Sequence, residues 1–249
     1  MNKVIYGDCL EVMPTLPTKS VDMILCDLPY GTTACKWDSI IPFEPLWLQY
    51  KRLIKDNGAI LLFGSEPFSS YLRMSNITNY KYDWYWKKTK ANGFMNVKKM
   101  PLKDVETISV FYKDLCNYNP QGVMLCGEKI VNVIGKRENK KHLSGHNGGG
   151  IKTDTYIREY TNYPKQVIEF KIEPKPEHPT QKPVALFEYL IRTYTNEGET
   201  VLDNCAGSGT TAIACLNTNR KYILIEKEKE YIDIINKRIS EHEIQVSIF

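Results

Sequence analysis

The sequence of 249 residues has no apolar stretch long enough to span a membrane and no Cys-x-x-Cys pair. Its seven cysteines are an odd number at irregular spacings, which is not typical of a disulfide framework or a zinc site. The residues after Met1 enter a strand-like pattern and lack the apolar core of a signal peptide. We therefore expect a cytoplasmic protein in a reducing compartment, without membrane contact.

A strong charge bias is also missing. The formal net charge of +4 permits a nucleic-acid partner without requiring one. Apolar residues make up 42% and charged residues 25% of the chain, as in soluble globular proteins, and its length suits one large α/β domain with an insertion. Of the four histidines, His142 and His146 have helical spacing but no third ligand, so we expect no metal.

The stretch from Val201 to Thr211 is central to the chain. An apolar run ends at Asp203, passes through Gly207 and Gly209 and opens into a helical pattern, which predicts a buried strand, a tight turn and a helix start. Glycines let the backbone approach a ligand, and the helix start offers free N–H groups. A second apolar run ends at Glu226, about 20 residues further on, the spacing of an acid that binds a nucleotide ribose. An ordinary βαβ unit is the alternative.

The second motif is Asp27-Leu28-Pro29-Tyr30, which follows a predicted strand over residues 20–26. A carboxylate, a neighbouring backbone carbonyl and an aromatic ring can together orient an exocyclic amine and stack on its base. The alternative is a strand-ending turn with a solvated Asp27 and a Tyr30 that only packs.

Further patterns predict the remaining core elements. A helix that includes Pro45 and Ile54 is expected to end at the Asn57-Gly58 pair, a typical C-cap signal. Strands are predicted over 59–63, 81–86, 105–112 and 222–226, and helices over 184–191 and 228–239.

From residue 113 to 177 apolar periodicity weakens and basic residues exceed acidic ones. Core patterns flank this segment, so we divide the chain into a first core part (1–112), an insertion (113–177) and a second core part (178–249). Basic and aromatic residues also interleave over 87–94, as in loops that face nucleic acid. A flexible surface insertion explains the 113–177 segment equally well, and an ordinary exposed charged loop explains the 87–94 segment nearly as well.

Three motifs together resemble a known family. Asp27 to Tyr30 resembles the Asp-Pro-Pro-Tyr motif of amino-methylating DNA methyltransferases, and Asp203 to Thr211 resembles their S-adenosylmethionine loop. The segment from His178 to Pro183 resembles the one that precedes this loop in the permuted β subclass. Leu28 replaces the first proline, and Asn204-Cys205 stands where the family often has Pro-Phe.

The resemblance implies an α/β fold, a Rossmann-like S-adenosylmethionine-dependent methyltransferase sheet with helices on both faces and an inserted target-recognition region. The strand over Val4–Asp8 would lie beside the strand over Tyr222–Glu226. The implied catalytic residues are Asp27, Leu28, Pro29 and Tyr30. The implied cofactor-binding residues are Asp8, Cys9, Asp27, Thr180, Lys182, Asp203, Ala206, Gly207, Ser208, Gly209, Thr210, Thr211 and Glu226.

Individual roles follow from the same resemblance. Asp8 would bond the adenine amine of the cofactor, Glu226 its ribose, and Thr180 and Lys182 its carboxylate. The residues expected to contact DNA are Lys87, Lys88, Lys90, Lys98, Lys136, Arg137, Lys140 and Lys141. The expected partners are double-stranded DNA, a second copy of the chain and a cognate restriction endonuclease.

The function so implied is methyl transfer from S-adenosylmethionine to the exocyclic N6 of a flipped adenine, without a metal. An acid at the first motif position favours adenine in this family. Alternatives are cytosine N4 as the acceptor, an RNA or protein amine as the acceptor, and a binding module without enzymatic activity.

Overall fold

The structure is a computed structural model that describes residues 2–32, 38–133, 155–174 and 181–247. The chain forms two compact units. The larger comprises Met1–Asn119 and Lys165–Phe249, and the smaller comprises Pro120–Pro164. The predicted DNA contacts Lys136, Arg137, Lys140 and Lys141 and the predicted cofactor ligand Thr180 lie outside the described residues, as do His142 and His146.

The larger unit contains an eight-stranded sheet. Its strands are β1 (Lys3–Tyr6), β2 (Val21–Cys26), β3 (Ile54–Gly64), β4 (Tyr80–Asn92), β5 (Lys103–Phe111), β8 (Val167–Phe170), β9 (Thr200–Asp203) and β10 (Lys221–Glu226). The remaining strands, β6 (Met124–Val133) and β7 (Thr155–Thr161), belong to the smaller unit.

The strand order is β1-β10-β9-β2-β3-β5-β4-β8, and the first five strands are parallel. β5 is antiparallel to both β3 and β4, while β8 joins β4 in parallel. β1 pairs with β10, with Val4 opposite Leu224 and Tyr6 opposite Glu226. The predicted neighbours, far apart in sequence, are therefore confirmed.

Within the described parts of the chain, six helices accompany the strands. They are α1 (Cys9–Val12), α2 (Phe43–Leu53), α3 (Phe68–Ser75), α4 (Val184–Tyr194), α5 (Thr210–Asn217) and α6 (Lys229–Ser247). Successive strand residues point to opposite faces. Leu61 and Phe63 pack in the cluster that includes α4, α5 and α6, whereas Ile60 and Leu62 pack in the cluster that includes α2 and α3. Helices on both faces are thereby confirmed.

This topology gathers polar residues at one edge of the sheet. The carboxyl ends of neighbouring parallel strands meet at the same edge, which is where open α/β sheets bind ligands. Asp8 lies just past the end of β1 and Asp27 just past β2, while Asp203 ends β9 and Glu226 ends β10. The four carboxylates of the predicted site therefore share this edge.

The smaller unit is an antiparallel pair in which Met124 lies opposite Thr161. At its base, the Asn162 side-chain amide donates to the Gly122 carbonyl at 2.7 Å. The unit comprises fewer residues than the predicted 113–177 insertion, because β8, which is part of that segment, pairs with β4 in the main sheet. No helix within the described residues is long and apolar enough to cross a membrane.

Candidate active site

A cavity of about 500 Å³ opens at the carboxyl edge of the parallel strands. Asp27 to Tyr30 line one part of it, and the glycine loop after β9 lines another. Glu226, Asp8 and Cys9 also contribute to the wall. The two motifs that the sequence singles out are thus brought to one cavity, about 175 residues apart in the chain.

The Asp27 carboxylate has two close donors. The Tyr30 hydroxyl donates to Oδ1 at 2.6 Å, and the Lys182 ammonium donates to Oδ2 at 2.6 Å. A carboxylate offers about four acceptor positions, so further donors can still bind. Burial, followed by the Asp27 charge, raises the pKa of Tyr30 well above its ordinary value, so the phenol stays a donor.

The tetrapeptide is held in place from both sides. Leu28 is only 4% exposed, belongs to the hydrophobic core and lines the cavity. The Tyr30 ring lies 5.0 Å from the Phe68 ring, centroid to centroid. Asp38 accepts from the backbone N–H groups of Gly31 and Thr32 at 2.8 and 2.9 Å. These contacts fix the chain directly after Tyr30.

A row of alternating charges extends from Asp27 into the wall of the cavity. Lys182 Nζ lies 3.3 Å from Glu106 Oε2, an ion pair without hydrogen-bond geometry. Lys88 pairs with the other Glu106 oxygen. Burial opposes the Lys182 charge, but Asp27 and Glu106 outweigh it and raise the pKa of Lys182. Burial also opposes the Glu106 charge, yet the two lysines lower the pKa of Glu106.

The ion pairs in this row give Lys88 and Lys182 partners other than the predicted ones. The sequence predicts that Lys88 contacts DNA, but its side chain is only 10% exposed and is paired with Glu106. The resemblance implies that Lys182 meets the cofactor carboxylate, but in the structure the ammonium is bonded to Asp27. In both cases the partner is a carboxylate on a neighbouring element, brought close only by folding. Lys87, Lys90 and Lys98 are exposed, as contact with phosphate requires.

The glycine loop is shaped by its own backbone and by Glu226. Gly207 and Gly209 have φ of 51° and 77°, the left-handed region in which side chains cost energy. Glu226 Oε2 accepts from the Gly207 N–H at 2.8 Å, and Oε1 accepts from the Glu228 N–H at 2.9 Å. Ser208 is held by Arg238, which donates to the Ser208 carbonyl at 2.6 Å. The Thr210 hydroxyl donates to the Lys182 carbonyl at 3.3 Å, which links this loop to the charge row.

Asp203 is the buried acid of the loop. It is 4% exposed and accepts from the Thr211 hydroxyl and, at 3.2 Å, from the Cys205 N–H. Burial outweighs these donors and raises the pKa of Asp203 to about 6. Burial also raises the pKa of Glu226. Both acids line the cavity, and both would gain from a cationic or hydroxyl-bearing ligand.

Of the remaining predicted residues, Asp8, Cys9, Ala206, Gly207, Ser208 and Thr210 line the cavity, whereas Gly209 and Thr211 do not. Asp8 lines it and caps α1, with Oδ1 accepting from the Leu10 N–H at 2.8 Å. A hydrogen bond of the Cys9 thiol with Cys205, then burial, raises the pKa of Cys9, and burial raises that of Cys26 to about 12. These thiols stay protonated and are poor nucleophiles. Among the described residues, no group of three His, Cys, Asp or Glu side chains is placed to hold a metal ion.

Sequence reasoning assigned no individual role to Glu106 or Asp38. Glu106 and Trp86 line the cavity from the facing strands β5 and β4, and Asp38 fixes the loop after Tyr30. A signal existed for Glu106, an acid on the same side of the predicted strand over 105–112 as the apolar Ile108 and Val110. Asp38 stands in a segment without periodicity, so only the folded loop reveals its partners.

Comparison with known proteins gives the family. The N6/N4 methyltransferase family model, described as DNA methylase, matches residues 21–237. The chain belongs to this DNA methylase family. The cofactor of this DNA methyltransferase is S-adenosylmethionine.

Individual relatives span most of the chain. Type II methyltransferase M.HpaI from Haemophilus parainfluenzae is 26% identical over 254 residues, covering 95% of this chain and 74% of the relative. DNA adenine methyltransferase YhdJ from Escherichia coli is 27% identical over 253 residues, covering 95% and 82%. The crystal structure of the M1.HpyAVI complex with S-adenosylmethionine superposes with a TM-score of 0.63 at 28% identity, covering 96% of this chain and 100% of that one.

Proposed function

We propose that this DNA methylase transfers a methyl group from S-adenosylmethionine to the exocyclic N6 of adenine in double-stranded DNA. The observation that carries the proposal is the common cavity of Asp27, Tyr30 and the glycine loop. The target base leaves the duplex and enters this cavity, because its amine is out of reach inside the stack. The cofactor supplies an activated methyl group on a sulfonium.

Asp27 and the backbone beside it orient the amine. One amine hydrogen is donated to a free acceptor position of the Asp27 carboxylate and the other to the Leu28 or Pro29 carbonyl. The nitrogen lone pair then points away from both acceptors, toward the glycine loop. Tyr30, fixed by Phe68 and by its bond to Asp27, stacks on the base. Most of the rate gain comes from this alignment and from the exclusion of water.

The loop residues hold the cofactor. Asp203 and the turn from Gly207 to Thr211 bind its methionine part, and Glu226 binds the ribose hydroxyls through acceptor positions that its two N–H donors leave free. Asp8 bonds the adenine amine. Thr180 lies in the segment before the loop and meets the cofactor carboxylate.

Adenine is favoured over cytosine by the acid at the first motif position. Asp27 accepts from the amine, and a relative that matches 95% of the chain is named a DNA adenine methyltransferase. Cytosine N4 presents the same kind of amine, so the mechanism would serve either base. The order of the two motifs, with Asp27 before the glycine loop, is that of the permuted β subclass, to which we assign the chain.

DNA binding extends beyond the cavity. Lys87, Lys90 and Lys98 contact phosphates, as does the basic part of the 113–177 insertion, which reads the recognition sequence. The named relative M.HpaI is a Type II methyltransferase, so we assign a cognate restriction endonuclease as a functional partner. A two-fold dimer in the cytoplasm is the proposed assembly.

Labelled methyl transfer tests the proposal. The protein is incubated with labelled S-adenosylmethionine and unmodified genomic DNA, and the nucleosides are then separated. We expect label in N6-methyladenine, reduced at least about 10²-fold by Asp27→Ala, since orientation of the amine is lost. Asp114→Ala, which removes an exposed carboxylate, is the matched control and should leave the rate unchanged. Label in N4-methylcytosine would show that cytosine, not adenine, is the acceptor base. Cofactor binding without any label in the DNA would reject DNA as the substrate.

A further inference from the structure

Exposed apolar side chains cluster on the loop between β4 and β5. Four of its ten residues, 93–102, are large, apolar and in contact with water. Phe94 is 63% exposed, Met95 97%, Val97 54% and Met100 50%. Soluble proteins rarely expose such a contiguous group unless it binds something.

The loop has a defined shape that presents these side chains outward. Gly93 adopts a left-handed φ of 97°, and a short 3₁₀ helix over Phe94–Asn96 follows. The Asn96 carbonyl accepts from the N–H groups of Lys99 and Met100 at 2.8 and 3.1 Å. These bonds close the loop on its own backbone and leave Phe94 and Met95, here called the tip, exposed.

The tip continues directly from the wall of the cavity. Trp86, Lys88 and Asn92 of β4 all line the cavity, and the loop starts one residue after Asn92. Asn92 pairs with Lys103 of β5, so the loop leaves and returns at the cavity rim. Phe94 and Met95 therefore follow closely after a residue of the cavity wall.

The charges around the tip fit a polyanion. Exposed lysines flank the apolar residues on both sides, and Asp104 is the one exposed acid among the described residues 87–105. The exposed lysines are Lys87, Lys90, Lys98, Lys99 and Lys103. An apolar tip surrounded by lysines matches base pairs flanked by phosphates.

We propose that Phe94 and Met95 insert into the DNA base stack beside the target nucleotide and occupy the space that the flipped base leaves. The inference rests on the proposed function, since a flipped base is its premise. Apolar wedges between base steps stabilise distorted duplexes in other DNA-binding proteins. Here the wedge closely follows β4, a strand that lines the cavity, so insertion and base entry are coupled.

The test uses the double variant Phe94→Ala/Met95→Ala in the full chain. The recognition sequence is first read from DNA methylated by the wild type. Leu115→Ala is the matched control, because Leu115 is 84% exposed and follows the end of β5 that lies away from the cavity. Three quantities are measured: kcat, KM for S-adenosylmethionine, and the fluorescence rise of 2-aminopurine placed at the target position.

We expect the double variant to lower kcat and the fluorescence rise about tenfold, with KM for S-adenosylmethionine and the control unchanged. A duplex with an abasic site opposite the target should restore most of kcat, since an unpaired base leaves the stack more easily. A merely structural loop would give no such rescue.

Unchanged kcat and fluorescence, or a loss that the abasic duplex does not rescue, would overturn the inference. Light scattering that shows a dimer in the wild type and a monomer in the double variant would assign the tip to a second copy of the chain. If the wild type methylates no DNA, the proposed function fails first, and the inference is rejected with it.

Discussion

Removal of the Lys182 charge should weaken both the fold and the reaction. Its ammonium lies 2.6 Å from an Asp27 oxygen and 3.3 Å from a Glu106 oxygen, and the side chain is only 8% exposed. In Lys182→Met the side chain keeps a similar length and loses its charge. The Asp27 and Glu106 carboxylates are then left without this cation in a largely buried site.

The magnitude follows from these distances. At an effective dielectric constant of about 20, the two attractions are roughly 6 and 5 kcal/mol before desolvation. Desolvation of the buried ammonium offsets much of this sum. Loss of one partner from a buried ion pair costs about 3–5 kcal/mol, and here Asp27 and Glu106 stay 21% and 15% exposed. We therefore expect the free energy of unfolding to fall by about 3 kcal/mol.

The pH dependence has a definite sign. The folded pKa of Lys182 is raised, so its contribution is full below the unfolded value of about 10.4 and is lost as pH rises through the folded pKa. The folded pKa of Glu106 is lowered, so its contribution is full above about 4.3 and is lost as pH falls through the folded pKa. The difference between wild type and variant should be largest between these limits.

Urea unfolding at several pH values and steady-state kinetics measure both effects. We expect kcat to fall about 10²-fold, since Asp27 is no longer held in place. The double variant Lys182→Met/Asp27→Asn should recover about 1–3 kcal/mol, because it removes the carboxylate whose ion pair with Lys182 is lost, whereas Glu106 keeps its pair with Lys88. Lys19→Met, in an exposed ion pair, is the control and should leave the midpoint unchanged. The reasoning is refuted if Lys182→Met at pH 7 unfolds at the same urea concentration as the wild type. It is also refuted if the double variant recovers none of the lost free energy of unfolding.

Three further predictions concern the cavity and its loop. Affinity for S-adenosylmethionine, measured by calorimetry, should fall below about pH 6 as Asp203 takes up a proton and loses its attraction for the cofactor ammonium; in Asp203→Asn this dependence should vanish. Tyr30→Phe keeps the ring against Phe68 and should lower kcat/KM less than about tenfold, whereas Tyr30→Ala loses stacking worth about 1–3 kcal/mol, or roughly 5- to 150-fold. Gly209→Ala should lower the free energy of unfolding by about 1–3 kcal/mol in thermal melts, because φ is 77° and the new Cβ would lie 2.9 Å from an Ile235 carbon.

Local sequence patterns predict the core well because each strand and helix buries a periodic face. The alternation in β4 and the acids that end β9 and β10 are visible in the sequence, and parallel pairing then brings those acids to one edge. Gly58 shows where local chemistry misleads. The Asn57-Gly58 pair predicts a helix end, but α2 ends at Leu53 and Gly58 lies within β3. A Cβ at Gly58 would lie 2.6 Å from the Asp22 carbonyl, so the glycine permits close strand packing.

The charge row could not be predicted from spacing. Lys88 and Glu106 are on facing strands, and the register that sets Trp86 opposite Glu106 depends on the whole hairpin. Lys182 reaches Asp27 across 155 residues of sequence. A lysine in a basic stretch predicts DNA contact only while its partners are unknown. Long-range pairing, which local propensity does not encode, decides which lysines remain free.

The most direct measurement of the central claim is a structure of the protein with its recognition duplex and a non-reactive cofactor analogue. We expect the target adenine outside the stack, with N6 within about 3.2 Å of an Asp27 oxygen and of the Leu28 or Pro29 carbonyl. The Tyr30 ring should lie against the base. A base that stays stacked, or an amine that binds elsewhere in the cavity with Asp27 still bonded only to Tyr30 and Lys182, would contradict the account.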